Sequence, residues 1–239
     1  NLADNVMIGG YSQTALSGVS IVNQIQFLLQ MLMLGTGSAI GVLGAQYWGK
    51  KELQPIRKAT SIGVLLGIII SAVMMLLVFF FPKQALGLLT NEQAVIEEGS
   101  KYLVIICFSY VLFAVSNNLL SALRSVETVK IGFVVNLLAL VVNIFLNYGL
   151  IYGKLGMPEM GVEGAAIATL TARVTEFAVV VIYVLFIDKK ICWRPKNLLH
   201  IDGTMFKDYI RVGMPLILAN GIWGVAMSVQ TAILGRLGE

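Results

Sequence analysis

The chain has 239 residues, 57% hydrophobic and only 13% charged, with a net charge of +4. A soluble domain carries about one quarter charged residues, so this composition and a mean hydropathy of +0.83 exclude a water-soluble fold. They also exclude the folded basic surface that nucleic-acid binding requires, and they make the lipid bilayer the chain's first partner.

Charge-free windows run over 59–82, 102–123, 131–153 and 212–235. Each matches the roughly 20 apolar residues that a helix needs to cross the hydrocarbon core. In chain order, the sequence predicts spans over 1–9 (the tail of a first helix), 16–47, 58–81, 98–122, 130–152, 162–187 and 209–235. There is no initiating Met and no signal peptide. The chain reads as truncated within an apolar helix at Asn1, and again at Glu239 just after an apolar run.

GGYSQT makes the first turn. The second span carries Asn23, Gln26 and Gln30 at helical spacing, one polar stripe, followed by Gly37, Gly41 and Gly44. Gly63 and Gly67 repeat the small-residue spacing that lets helices approach closely in a bilayer. The connections near 48–58, 123–130 and 188–211 hold twelve of the 17 basic residues. The rule that basic loops face inward places those three in the cytoplasm and the chain in the plasma (inner) membrane. The opposite side has Lys83, Lys101, Lys154 and Arg236, and the acidic stretch TNEQAVIEEGS.

Cys107 and Cys192 make no disulfide framework, and His200 has no partners at metal-ligand spacing. GTGSAIG lacks the strand and the Lys of a phosphate loop, and no HExxH is present. Enzyme chemistry is therefore not expected, and no cofactor or bound metal beyond a transported ion.

Polar groups inside spans are costly and read first as functional. Asp4 lies five residues before Gly9, roughly 8 Å below the end of its helix. Asn136, Asn143 and Asn147 share one face of the fifth span, and Asn147 lies at a similar depth before Tyr152. Asp4 and Asn147 meet if their helices are neighbours, making a site for a proton or for a cation such as Na⁺. Arg173 and Glu176 stand at i and i+3, the spacing of an intrahelical ion pair. Asn117 and Asn118 suit helix–helix hydrogen bonds, and the last span carries Pro215, Asn220, Gly221 and Gly224. A Pro inside a membrane helix removes a backbone bond and bends it.

The phrase Asp4 to Gly9 lies over Gln230 to Gly235, although only the glycines are identical. Six helices separate the two copies, the pattern of parallel repeats about an axis along the membrane normal.

ADNVMIGGYSQTALSGVSI, GTGSAIGVLGAQYWGKKE, SALRSVETVK, NIFLNYGLIYG, GVEGAAIATLTARVTE and VGMPLILANGIWG follow one another in the order seen in the multidrug and toxic-compound extrusion (MATE) family, which the chain resembles from Ala3 to Glu239. The resemblance implies an all-α integral membrane fold. Residues 1–200 would form the N-terminal six-helix transporter lobe with its first helix truncated. Residues 201–239 would be the end of the cytoplasmic linker and the first helix of a second, parallel-repeat lobe, whose remainder would be a partner of this one. It also implies efflux of small cationic or amphipathic compounds by antiport with H⁺ or Na⁺ through alternating access. Asp4 matches the family's first-helix Asp, implicated in ion binding, with Asn143 and Asn147 beside it. Some members carry Asp at the position of Asn147, so a two-carboxylate site is not expected here. Asn23, Gln26, Gln30, Asn136, Arg173, Glu176 and Asn220 are the substrate-cavity candidates. The alternative is a lipid-linked oligosaccharide flippase of the same superfamily, and after it a membrane-embedded enzyme.

Overall fold

The computed structural model describes residues 2–154, 156–199 and 202–237. His200 and the side chain of Arg236 lie outside what is described. Helices start and stop where the sequence supplies the means. α1 (Leu2–Gly9) ends in the GGYSQT turn, and the Ser12 hydroxyl caps α2 (Gln13–Gly49) by accepting from the Ala15 N–H at 3.4 Å. α3 (Leu53–Phe80) is followed by the short α4 (Pro82–Gly87), whose Pro occupies the first turn, where its missing N–H costs nothing. Then come α5 (Gln93–Ile106), α6 (Ser109–Ser125) and α7 (Lys130–Tyr152). α7 stops at Gly153, whose φ of 63° is a left-handed position that glycine adopts without strain. α8 (Gly161–Ile182) runs into a π-helical turn (Tyr183–Ile187), and α9 (Gly203–Leu237) closes the chain.

The described residues contain no strand. α2, α3, α7, α8 with its π turn, and α9 are each long and apolar enough to span a membrane. α5 and α6 form one more crossing if taken together, bent by 54°. The sequence predicts a single helix over 98–122; the structure breaks it at Cys107 and Phe108. No Pro or Gly marks the break. Instead the Cys107 thiol donates to the Val104 carbonyl at 3.1 Å, and the Ser109 hydroxyl donates to Ile106 O at 2.6 Å. Side chains thus occupy carbonyls near the bend, a requirement in lipid, where water is absent.

Close helix packing uses small residues. A Cβ on Gly18 would come within 2.8 Å of the Gly99 nitrogen, so α2 and α5 touch backbone to backbone. Gly35 does the same for α2 against Ile217 of α9, and Gly37 and Gly44 receive Ser121 and Ser125 of α6. Gly41, in the same predicted stripe, has nothing within 4 Å and takes no part in packing.

One end of the bundle is fastened by the α8–α9 connection. The Arg57 Nε donates to Ile191 O at 2.6 Å, the Lys190 Nζ to Val126 O at 2.6 Å, and the Trp193 indole N–H to the Ser61 hydroxyl at 2.9 Å. An exposed Lys58–Asp202 ion pair at 3.0 Å joins the same connection to α3, and its hydrogen bond holds the Asp202 carboxyl below the ordinary carboxylate range. That tie is complete at neutral pH and is lost as pH falls through the lowered value. This is the end that carries the three basic connections.

Candidate functional site

At the opposite end α1 packs against α7 and α8. The Tyr152 hydroxyl donates to Met7 O at 2.6 Å, pinning the end of α7 to α1. Asp4 is thereby held fully buried between three helices. Asp4 and Asn147 meet at one depth: the Asn147 amide N–H₂ donates to Asp4 Oδ1 at 2.5 Å. The same amide donates to Asn143 Oδ1 at 3.2 Å, as residues i and i+4 on one helix face allow.

The second carboxylate oxygen has a partner that the sequence reading missed. Thr169 of α8 donates its hydroxyl to Asp4 Oδ2 at 3.3 Å and accepts from the Asn143 amide at 3.2 Å. Four residues therefore close a ring of hydrogen bonds inside the bundle. All three partners of the carboxylate ring are neutral, and among the described residues no Lys or Arg pairs with Asp4. A buried carboxylate without a counter-charge is expensive. Two groups are left over beside it. The Asn147 carbonyl oxygen is buried without a hydrogen-bond partner among the described residues. The buried Tyr102 hydroxyl of α5 comes within reach of Thr169 without a well-formed bond.

Thr169 begins a stripe on α8. Arg173 and Glu176 follow at i+4 and i+7, opposite Asn136, Leu140 and Asn143 on α7. Between the two stripes lies a cavity of about 170 Å³. A second cavity of about 140 Å³ shares Asn136, Arg173 and Glu176, and continues past Asn117 to Arg124 and Thr128 at the basic end. Glu176 is 4% exposed and binds Arg173 at 2.6 Å, while the guanidinium lies 4.9 Å from the centre of the Phe113 ring.

Of the predicted cavity residues, Asn136, Arg173 and Glu176 line this cleft. The others lie elsewhere. The Asn23 amide donates to Asn5 Oδ1 at 3.2 Å, joining α2 to α1. Gln26 is buried and Gln30 half-buried on α2. Asn220 donates to Leu216 O of its own helix at 2.8 Å. Asn117 reaches across to Met33 O on α2 at 3.0 Å, whereas Asn118 bonds Ala114 O of its own helix.

Thr169→Val keeps the shape and removes the donor to Asp4. Interhelical hydrogen bonds in membranes average only about 0.6 kcal/mol, but bonds to a charged group are worth about 1.5–3 kcal/mol. The acceptor here is a carboxylate at a long 3.3 Å, so the lower end of the second range applies. The expected outcome is a loss of about 1.5 kcal/mol of stability, read from thermal unfolding.

The sequence profile of the MatE family matches residues 1–149. A protein of Thermotoga maritima named "Probable multidrug resistance protein NorM" is 29% identical over 98% of this chain and 50% of its own length. A Bacillus cereus protein of the same name is 31% identical, again over 98% and 50%. The chain therefore spans about half the length of the curated relatives it matches. The fold is similar to the inward-facing structure of a multidrug resistance MATE family transporter, with a TM-score of 0.82 at 21% identity, over 95% of this chain and 51% of that one. The outward-facing structure of such a transporter gives 0.83 at 20% identity, over 95% and 49%. With the profile covering well over half of its residues, this chain, an all-helical multi-pass membrane protein, belongs to the MatE family.

Proposed function

We propose that the chain is the ion-coupling half of an exporter of small cationic or amphipathic compounds, exchanging them for H⁺ or Na⁺. Residues 1–200 act as the N-terminal lobe, and 201–239 lead into a second lobe. The observation that carries this reading is the fully buried Asp4, held by Asn147 and Thr169 and lacking a basic partner among the described residues. Its names and folds of comparison support it: the relatives are called probable multidrug resistance proteins, and the similar structures are of multidrug transporters.

The mechanism follows from charge. An ionised Asp4 offers a negative site to a cationic substrate, through the cleft or through the ring around it. Taking up H⁺ or Na⁺ cancels that charge, and the substrate loses its hold. Na⁺ finds oxygen ligands in Asp4 and in the unpartnered Asn147 carbonyl; H⁺ needs only the carboxylate. The basic end of the bundle faces the cytoplasm of a plasma-membrane protein by the inward preference of Lys and Arg, so the Asp4 ring lies in the outer half, where the driving ion enters.

The flippase alternative calls for unmatched positive charge facing a pyrophosphate. Arg173 does not supply it, because Glu176 binds it at 2.6 Å. The test is reconstitution of the full-length protein in vesicles with a fluorescent organic cation. An imposed H⁺ or Na⁺ gradient should drive its accumulation, and a lipid-linked oligosaccharide should neither move nor compete. Ion-independent movement of such a lipid would overturn the reading.

A further inference from the structure

We propose that Glu176 is a second proton-carrying group, which passes protons between Asp4 and the basic end of the bundle through the polar cleft of α6, α7 and α8. The proposal rests on the reading of Asp4 as the ion site, with H⁺ as the ion carried.

The path is built from contacts on α7 and α8. Asp4 receives the Thr169 hydroxyl, and Thr169 lines the first cavity together with Arg173 and Glu176. The second cavity begins at the same Glu176, Arg173 and Asn136 and ends at Arg124 and Thr128. A water needs only about 10–15 Å³ of such space and two to four polar partners. Cavities of about 170 and 140 Å³ walled by Asn117, Asn136, Asn143 and Thr169 meet both conditions. Thr169 and Glu176 are seven residues apart, roughly 10 Å along the axis, a gap that a short chain of waters bridges. An acid on each side of that gap gives the proton a place to stop.

The charged and titratable groups facing Glu176 are few. Among the described residues that line the two cavities with it, Arg173 is on its own helix and Arg124 is at the end of α6; α7 offers the amides Asn136 and Asn143. A pair made only for structure would be expected to be sealed by apolar side chains. This one lines both cavities. The transfer balances simply. The Asp4 carboxylic acid gives its proton through Thr169 and water to the Glu176 carboxylate, leaving Asp4 ionised and Arg173 beside a neutral acid. Glu176 then gives the proton to water at the basic end and re-forms its ion pair. A Na⁺ ion is not handed on by Glu176, whose carboxylate is committed to Arg173.

The experiment uses the full-length protein in vesicles, driven either by a pH gradient without Na⁺ or by a Na⁺ gradient at equal pH, with ethidium as the transported cation. Glu176→Gln should slow pH-driven uptake by roughly 10²-fold, the usual worth of a positioned proton-transfer group, and any Na⁺-driven uptake by much less. Glu176→Asp should keep most of the rate. The double variant Arg173→Gln/Glu176→Gln removes both charges and leaves no unpaired ion to disturb folding. It should be as slow as Glu176→Gln alone. Recovery of rate in the double variant would show a structural pair and overturn the proposal. So would equal slowing under both gradients, or a wild-type chain without pH-driven uptake. Wild-type speed in Glu176→Gln with an inactive Asp4→Asn defeats the relay alone; wild-type speed in Asp4→Asn defeats the underlying reading.

Discussion

Asp4→Asn in the full-length protein should reduce ion-driven efflux to the level of empty vesicles while leaving the protein folded. The substitution is nearly isosteric. Its carbonyl oxygen still accepts from Asn147, and its new N–H₂ can donate to the Thr169 hydroxyl, so the ring of hydrogen bonds can re-form. What disappears is the charge. A buried carboxylate without a counter-ion costs several kcal/mol, and that cost is cancelled when a proton or cation arrives. Swinging a two-state protein from 1:99 to 99:1 takes about 5.5 kcal/mol. On the proposed reading the site would therefore supply most of the bias that alternating access needs, and a permanently neutral Asn would supply none. The unfolding temperature should hold or rise, since an unpaired buried charge has gone. Efflux at the wild-type rate, still dependent on the ion, would contradict this account.

Gly164→Ala should damage the lobe, and Gly41→Ala should be harmless. At Gly164 a Cβ would lie 2.6 Å from Leu150 O and 2.8 Å from Leu150 C. The obstacle is the backbone of α7, which cannot rotate away as a side chain can. Forced overpacking costs about 1–3 kcal/mol, more than the gain of about 0.5–1 kcal/mol that Ala brings to a helix interior. The strain falls on the α7–α8 pair, which holds Asn143, Asn147 and Thr169 around Asp4, so transport should weaken along with stability. At Gly41 nothing lies within 4 Å. There the helix-propensity gain stands alone, and the variant should be neutral or slightly more stable. Thermal unfolding followed by size-exclusion chromatography reads both. Equal effects at the two positions would show that the close approach of α7 to α8 is not what Gly164 provides.

Gly41 also shows what the sequence could not resolve. Gly37, Gly41 and Gly44 read as one packing stripe, because spacing reveals a shared face but not which neighbour covers it. Ser121 and Ser125 cover the outer two, and the middle one is left bare. The break between α5 and α6 was hidden for a related reason. The window 102–123 is apolar and free of Pro and Gly, and the carbonyls at the bend are met by a thiol and a hydroxyl, residues that also sit comfortably within a helix. Asp4 and Asn147, by contrast, were legible, since each lies five residues from the end of its helix. Burial of two polar side chains at one depth leaves few arrangements other than contact. Thr169 escaped because a lone Thr in a membrane helix normally bonds its own backbone, as Thr171 does to Ile167 O at 2.8 Å. Its only signal was its place on the face of Arg173 and Glu176, four and seven residues before them.

The central claim is that Asp4 couples substrate movement to an ion moving the other way. The most direct measurement is the ion itself. Vesicles holding the full-length protein and an H⁺ or Na⁺ indicator are given a gradient of an organic cation at clamped membrane potential. Ion movement opposite to the substrate is expected, and none in vesicles with Asp4→Asn. Substrate movement without ion movement, or an ion signal that survives Asp4→Asn, would contradict it.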